Sequence, residues 1–140
     1  NVPLSAFSAL PPCLTTLDLT GCSVAVPPSF ASCPSITELS LSQTRLNSFP
    51  LQVLDLKKMR KLDLSSNAIT SVPENLVSLQ ELEELNLTNN DIRDLPPALG
   101  RMHPTLSSLM LEGNCLKSIR RPILDRGTAA VLEYLAMKIQ

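Results

Sequence analysis

The chain has 140 residues, 44% hydrophobic and 18% charged, and a formal net charge of −1. That is enough chain to bury a core and too apolar a composition for a disordered one, while no run of 18 apolar residues is present that could cross a bilayer as a helix. A single His and no basic run exclude a centre built on two imidazoles and leave no electrostatic footprint for nucleic acid or an anionic membrane surface.

Leu occurs 27 times and aromatic residues make up 3%, so the core is aliphatic. The chain opens on Val2-Pro3-Leu4-Ser5-Ala6-Phe7 and Leu10, which match the second half of a repeat found further on, Val72-Pro73 with Leu76 and Leu79. The match suggests a start in mid-unit, and the expectation is that the chain is the carboxyl-terminal part of a longer repeat protein; the alternative is that these few residues serve as the cap by themselves.

Five full units follow. Leu14-x-x-Leu17-x-Leu19 recurs as Ile36-x-x-Leu39-x-Leu41 and Met59-x-x-Leu62-x-Leu64, then as Leu82-x-x-Leu85-x-Leu87 and Leu106-x-x-Leu109-x-Leu111. Three residues after each comes Cys22, Thr44, Asn67, Asn90 or Asn114; two further on comes Val24, Leu46, Ile69, Ile92 or Leu116. An apolar residue and a proline close the first four units: Val26-Pro27, Phe49-Pro50, Val72-Pro73 and Leu95-Pro96. The alternation in Leu-x-Leu is the period of a strand with one buried face. One unit cannot bury that face alone, so the units must stack. The Asn at the turn out of the strand both donates and accepts, so Asn67, Asn90 and Asn114 are expected to form a structural asparagine ladder. Thr44 and Cys22 are poorer substitutes, which weakens the ladder toward the amino end. On the return path 73–79 reads as a short helix beginning at Pro73, with Leu76 and Leu79 inward. Leu51, Leu54 and Met59 take that role in the preceding unit, and Pro96, Pro97 and Leu99 in the following one. Pro27, Pro28 and Phe30 take it in the first, with little helix.

The carboxyl end leaves the repeat at Arg120. A first helical segment stops at Gly127, a residue suited to the position past a helix end. Thr128 is then expected to cap a second helix over 129–139 whose Val131, Leu132, Leu135 and Ile139 share one face. This helix is expected to cover the exposed edge of the last unit. The organisation is therefore repeats over 1–119, starting near 14, 36, 59, 82 and 106 after the initial half-unit, and a helical cap over 120–140 of the same domain.

The pattern resembles the leucine-rich repeat of the 23-residue intracellular type, with Leu-Pro at its convex turn. The ending Leu111-Glu112-Gly113-Asn114-Cys115-Leu116, with Ile119-Arg120-Arg121, Gly127-Thr128 and Tyr134-Leu135, resembles the carboxyl terminus of one scaffold of that group. Cys115 departs from the usual proline after the Asn. The resemblance implies an α/β fold: a right-handed solenoid, or horseshoe, with a parallel concave sheet, short convex helices and a carboxyl-terminal helical cap. It also implies a non-enzymatic scaffold that binds a protein partner.

The outward strand positions supply the candidate surface. Glu83, Glu84 and Asp91 form an acidic area, and Arg45, Arg60 and Lys61 a basic area one or two coils away; Glu38, Asp63 and Asn86 complete the predicted binding face. Such a face suits a partner of mixed charge, although side chains pairing across adjacent strands explain the same residues. Catalytic residues, metal ligands and cofactors are not predicted: His103 precedes Pro104 in a convex connection, Glu83 and Glu84 are unburied, and the glycines fall at turns. Asn86-Leu87-Thr88 is a glycosylation sequon lying on a strand. Four cysteines without paired spacing favour a reduced, cytoplasmic or nuclear protein. A monomer is expected, and the near-neutral charge gives no reason to expect nucleic-acid or membrane partners. Two alternatives stand beside this reading: an extracellular or surface recognition repeat, which a Cys13–Cys33 disulfide would favour, and a purely structural end of a longer solenoid.

Overall fold

The computed structural model describes residues 13–21, 34–102, 105–117 and 119–138. The expectations for the opening half-unit, for Cys22, Val24 and Val26 to Phe30, for Cys33, and for His103 and Ile139 lie outside these residues. Five three-residue strands run Thr16–Asp18 (β1), Glu38–Ser40 (β2), Lys61–Asp63 (β3), Glu84–Asn86 (β4) and Ser108–Met110 (β5). They pair in parallel in chain order, so the sheet is the wall of a repeat solenoid built one coil at a time. The register places Leu17, Leu39, Leu62, Leu85 and Leu109 in one row. From Leu39 onward that row is buried, as is the next apolar row of Leu41, Leu64, Leu87 and Leu111. Each fully buried Leu contributes about 1.5–3 kcal/mol relative to exposure. Burial falls off at the amino end, where Leu14, Leu17 and Leu19 are half-buried.

Two backbone devices recur. The carbonyl just before a strand accepts two amides of the next coil: Thr37 O from Arg60 N (2.8 Å) and Lys61 N (3.0 Å), Arg60 O from Glu83 N and Glu84 N, Glu83 O from Ser107 N and Ser108 N. After the strand, the residue preceding the ladder position is left-handed in every coil: Gly21, Gln43, Ser66, Asn89 and Gly113, at φ between 56° and 77°. Only two of these are glycine, so the turn is not evident from residue type.

The return path is 3-10 helix, over Leu51–Asp55, Glu74–Ser78 and Pro97–Met102. A 3-10 helix covers more distance per residue than an α-helix, which suits a return path only five or six residues long. Pro50 and Pro73 stay extended just ahead of the first two, with φ of −76° and −74°. Leu76, Leu79 and Leu99 are buried, as the spacing predicts. Leu54 and Met59 are buried as expected, but Leu51 corrects the expectation: it is 58% exposed, and Val53 points inward in its place. The reason is alignment, since Pro50 to Val53 matches Pro73 to Leu76, which puts Leu51 at the place of Glu74. Pro96 and Pro97 are half-buried.

Two helices follow, Arg121–Asp125 (α1) and Thr128–Met137 (α2). Val131, Leu132 and Leu135 are buried. α2 packs chiefly on the convex Pro97–Met102 segment rather than across the strand edge. There Gly100 permits a close approach: a Cβ on it would lie 2.3 Å from the backbone nitrogen of Ala136. Thr128 also departs from its expected role. The residue ahead of α2 is Gly127, at φ 98°, with no side-chain cap. The Thr128 hydroxyl instead accepts from the amide of Leu109 on β5 at 2.8 Å.

Candidate functional surface

The turn behind the sheet is held by side-chain amides. Asn67 Nδ2 donates to Leu41 O and Leu64 O, both at 3.0 Å, while its Oδ1 accepts from Thr44 N (3.1 Å) and Leu46 N (3.0 Å). Asn90 Nδ2 donates to Leu64 O and Leu87 O at 3.0 Å, and Oδ1 accepts from Ile69 N at 3.2 Å. Asn114 repeats the arrangement with Leu87 O, Leu111 O and Ile92 N. Each amide therefore bonds its own coil and the one before. The Thr44 hydroxyl donates within its own coil, to Leu41 O at 2.6 Å.

On the other side of the strands the charged residues stand in register. Glu38, Lys61 and Glu84 are consecutive cross-strand partners. Lys61 Nζ lies 3.6 Å from Glu38 and 3.9 Å from Glu84, bridging both. One residue earlier, Arg60 Nε donates to Glu83 Oε2 in a close ion pair. Arg60 beside it holds the Glu83 carboxyl below its ordinary range, and the same contact raises the Arg60 guanidinium. The acidic and basic areas read from sequence thus interlock across β3 and β4. Glu83 and Glu84 separate, one to Arg60 and the other to Lys61. All these side chains are 40–60% exposed, so the pairs are worth little to stability and much to pattern.

The next outward row behaves differently. Asp63 Oδ1 accepts from the amide (2.9 Å) and hydroxyl (2.7 Å) of Ser65, and Asn86 Oδ1 accepts from the amide (3.1 Å) and hydroxyl (2.8 Å) of Thr88. Asp18 accepts from Thr20 N at 2.9 Å, and its carboxyl is held below its ordinary range by bonds from Thr20, the hydroxyl's first and the amide's second. These side chains terminate strands, as Asx turns do. The signal was available in the Asp-x-Ser and Asn-x-Thr spacings. Asn86, the sequon residue, spends its carbonyl oxygen in this way. Arg45 and Asp91 are exposed, beyond the ladder turn rather than in the strand row, and neither forms an ion pair among the described residues.

Glu38, Lys61, Asp63, Glu84 and Asn86 line a shallow concavity of about 320 Å³ that ends at Met110. Met110 is 36% exposed; strand alternation places it outward, but the charged face chosen from sequence did not include it, nor Asp18 and Ser40 in the same row. Its signal was present: it is the one apolar residue at the middle outward position of a strand. Among the described residues no group of three or more His, Cys, Asp or Glu is placed to hold a metal ion.

Fold and surface together define a repeat solenoid with a charged parallel sheet. Leucine-rich-repeat family models match residues 13–33 and 34–92, and the chain belongs to that family. Its fold is similar to that of the Leptospira interrogans leucine-rich-repeat protein LIC12759, with a TM-score of 0.70 and 22% identity over 100% of this chain. It is also similar to TLR13 in its complex with ssRNA13, with a TM-score of 0.59 and 28% identity over 81% of this chain. The chain spans 39% and 20% of the lengths of those two proteins.

Proposed function

We propose that this chain is a non-enzymatic scaffold that binds a protein partner through the concave face of its sheet. The observation that carries the reading is the registered row Glu38–Lys61–Glu84, flanked by Arg60–Glu83, with the exposed Met110 beside Asn86 in the neighbouring outward row. A row of alternating charge on a rigid sheet discriminates partners by charge order, and an exposed thioether beside it supplies adaptable apolar contact. Glu38, Arg60, Lys61, Glu83 and Glu84 are the charged contacts; Asp63 and Asn86 shape the floor; Arg45 and Asp91 are available at the rim. TLR13 is a relative seen with single-stranded RNA, but Arg60 and Lys61, the positive charges of the strand rows, are paired with carboxylates, which favours a protein over a polyanion.

Cytoplasmic or nuclear residence fits the exposed free thiols of Cys13 and Cys115, and no helix among the described residues is long and apolar enough to cross a membrane. The end of the chain, Leu111-Glu112-Gly113-Asn114-Cys115-Leu116 with Gly127-Thr128, supports a relationship to the carboxyl end of leucine-rich repeat-containing protein 40. The repeats and the helices over 120–140 form one domain in this reading, and the protein works as a monomer. Affinity capture tests it: the intact chain is compared with Glu83, Glu84 and Asp91 each replaced by Lys. The proposal expects a partner held by the first and lost by the second. Identical captures from both assign the binding elsewhere.

A further inference from the structure

The same amides donate to the next coil throughout the sheet. Leu41 N and Gln43 N reach Asp63 O and Ser65 O at 2.8 and 3.1 Å; Leu64 N and Ser66 N reach Asn86 O and Thr88 O at 2.9 Å; Leu87 N and Asn89 N reach Met110 O and Glu112 O at 2.9 and 2.8 Å. A third amide, that of Leu46, Ile69 or Ile92, reaches the Oδ1 of the next asparagine at 3.0 to 3.2 Å. In the fifth coil the equivalent donors are Leu111, Gly113 and Leu116, and none of them has an acceptor among the described residues. The Thr128 hydroxyl closes this edge only at Leu109.

The free donors border a cavity of about 450 Å³ between β5 and the two helices. Val131 and Ile119 in its wall are buried, and Leu116 and Leu124 are half-buried. At the rim, Arg121 is held 3.6 Å from Asp125, while Glu112 makes no ion pair among the described residues. The rim charge is therefore net acidic, which disfavours an anion on these donors.

We propose that this groove takes an extended peptide that adds beside β5 as a short parallel strand. Its carbonyls at alternate residues accept from Leu111 and Gly113, and a third acceptor meets Leu116. An aliphatic side chain fills the space against Leu116, Leu124 and Val131, and a basic residue meets Glu112. The inner coils carry the same hydrogen-bond frame, so the acceptor spacing is set by the protein itself.

The test uses the whole chain and a blocked peptide, Lys-Val-Leu-Val-Ser, at concentrations up to about 2 mM. Backbone amide NMR should show saturable shifts at Leu111, Gly113 and Leu116 and exchange at these amides slowed by at least about threefold. Glu112→Lys, at an exposed position, should weaken the peptide by about fivefold, the upper end for an exposed ion pair. No shift at these amides, or shifts confined to Lys61 and Glu84, overturns the proposal. So do the same shifts produced by acetate alone or by raising the protein concentration without peptide, which assign the edge to an anion or to a second copy.

Discussion

Replacing Asn67 by Ala should destabilise the protein more than replacing Asn90, although Asn90 is the central rung and the more buried. The magnitude follows from what each asparagine leaves behind. In Asn90→Ala, Leu64 O keeps the Asn67 amide, Leu87 O keeps the Asn114 amide, and only Ile69 N loses its acceptor outright. One orphaned buried amide costs about 1–3 kcal/mol, so about 2 kcal/mol is expected. In Asn67→Ala two amides are orphaned, Thr44 N and Leu46 N, while Leu41 O keeps the Thr44 hydroxyl. Leu46 is half-buried, and water recovers part of its loss, giving about 3 kcal/mol in total. Urea unfolding followed by circular dichroism measures both, provided the slope is unchanged. A smaller loss for Asn67→Ala than for Asn90→Ala would refute the reasoning that orphaned amides, and not burial of the asparagine, set the cost.

Leu62→Ala empties the middle of the registered apolar row and should cost about 2–5 kcal/mol in the same assay. Gly100→Ala drives a methyl into the backbone of α2 and should lower stability by about 1–3 kcal/mol, with faster proteolysis after Arg120; an unchanged melt would show that α2 is not seated there. Thr128→Val removes the hydroxyl that bonds the Leu109 backbone at the β5 edge and should cost about 1 kcal/mol, read as accelerated exchange of the Leu109 amide. The Glu83 carboxyl is lowered in the fold, so its contribution is present above its ordinary value of 4.5 and is lost as pH falls through the lower folded value. The urea-midpoint difference between the native chain and Arg60→Met should therefore be constant near neutrality and vanish in strong acid; a difference that persists there contradicts the ion-pair assignment.

Most of the fold was legible because the repeat states its own period. Leu-x-Leu fixes strand and buried face, and five copies fix parallel stacking. What escaped lay where residue type and position separate. Leu51 looked inward because it is apolar, yet it aligns with Glu74. Thr128 has the right chemistry for a helix cap, but the strand edge offered it a buried amide. The left-handed turn at Gln43, Ser66 and Asn89 is imposed by the coil geometry rather than by the residues occupying it. The charged face was half legible: its membership could be read from strand alternation, but the pairing of Arg60 with Glu83 and Lys61 with Glu38 and Glu84 depends on cross-strand register, which no single unit displays. Met110 was passed over because charge, not exposed apolar area, guided the reading.

The central claim is that recognition uses the concave sheet. A photo-crosslinking amino acid placed singly at Ser40, Asn86 and Met110 on that face, and at the exposed convex Leu51, tests it most directly in cells. The account predicts one common adduct from the concave positions and none from Leu51. An adduct from Leu51 alone, or equal adducts from all four positions, would contradict it.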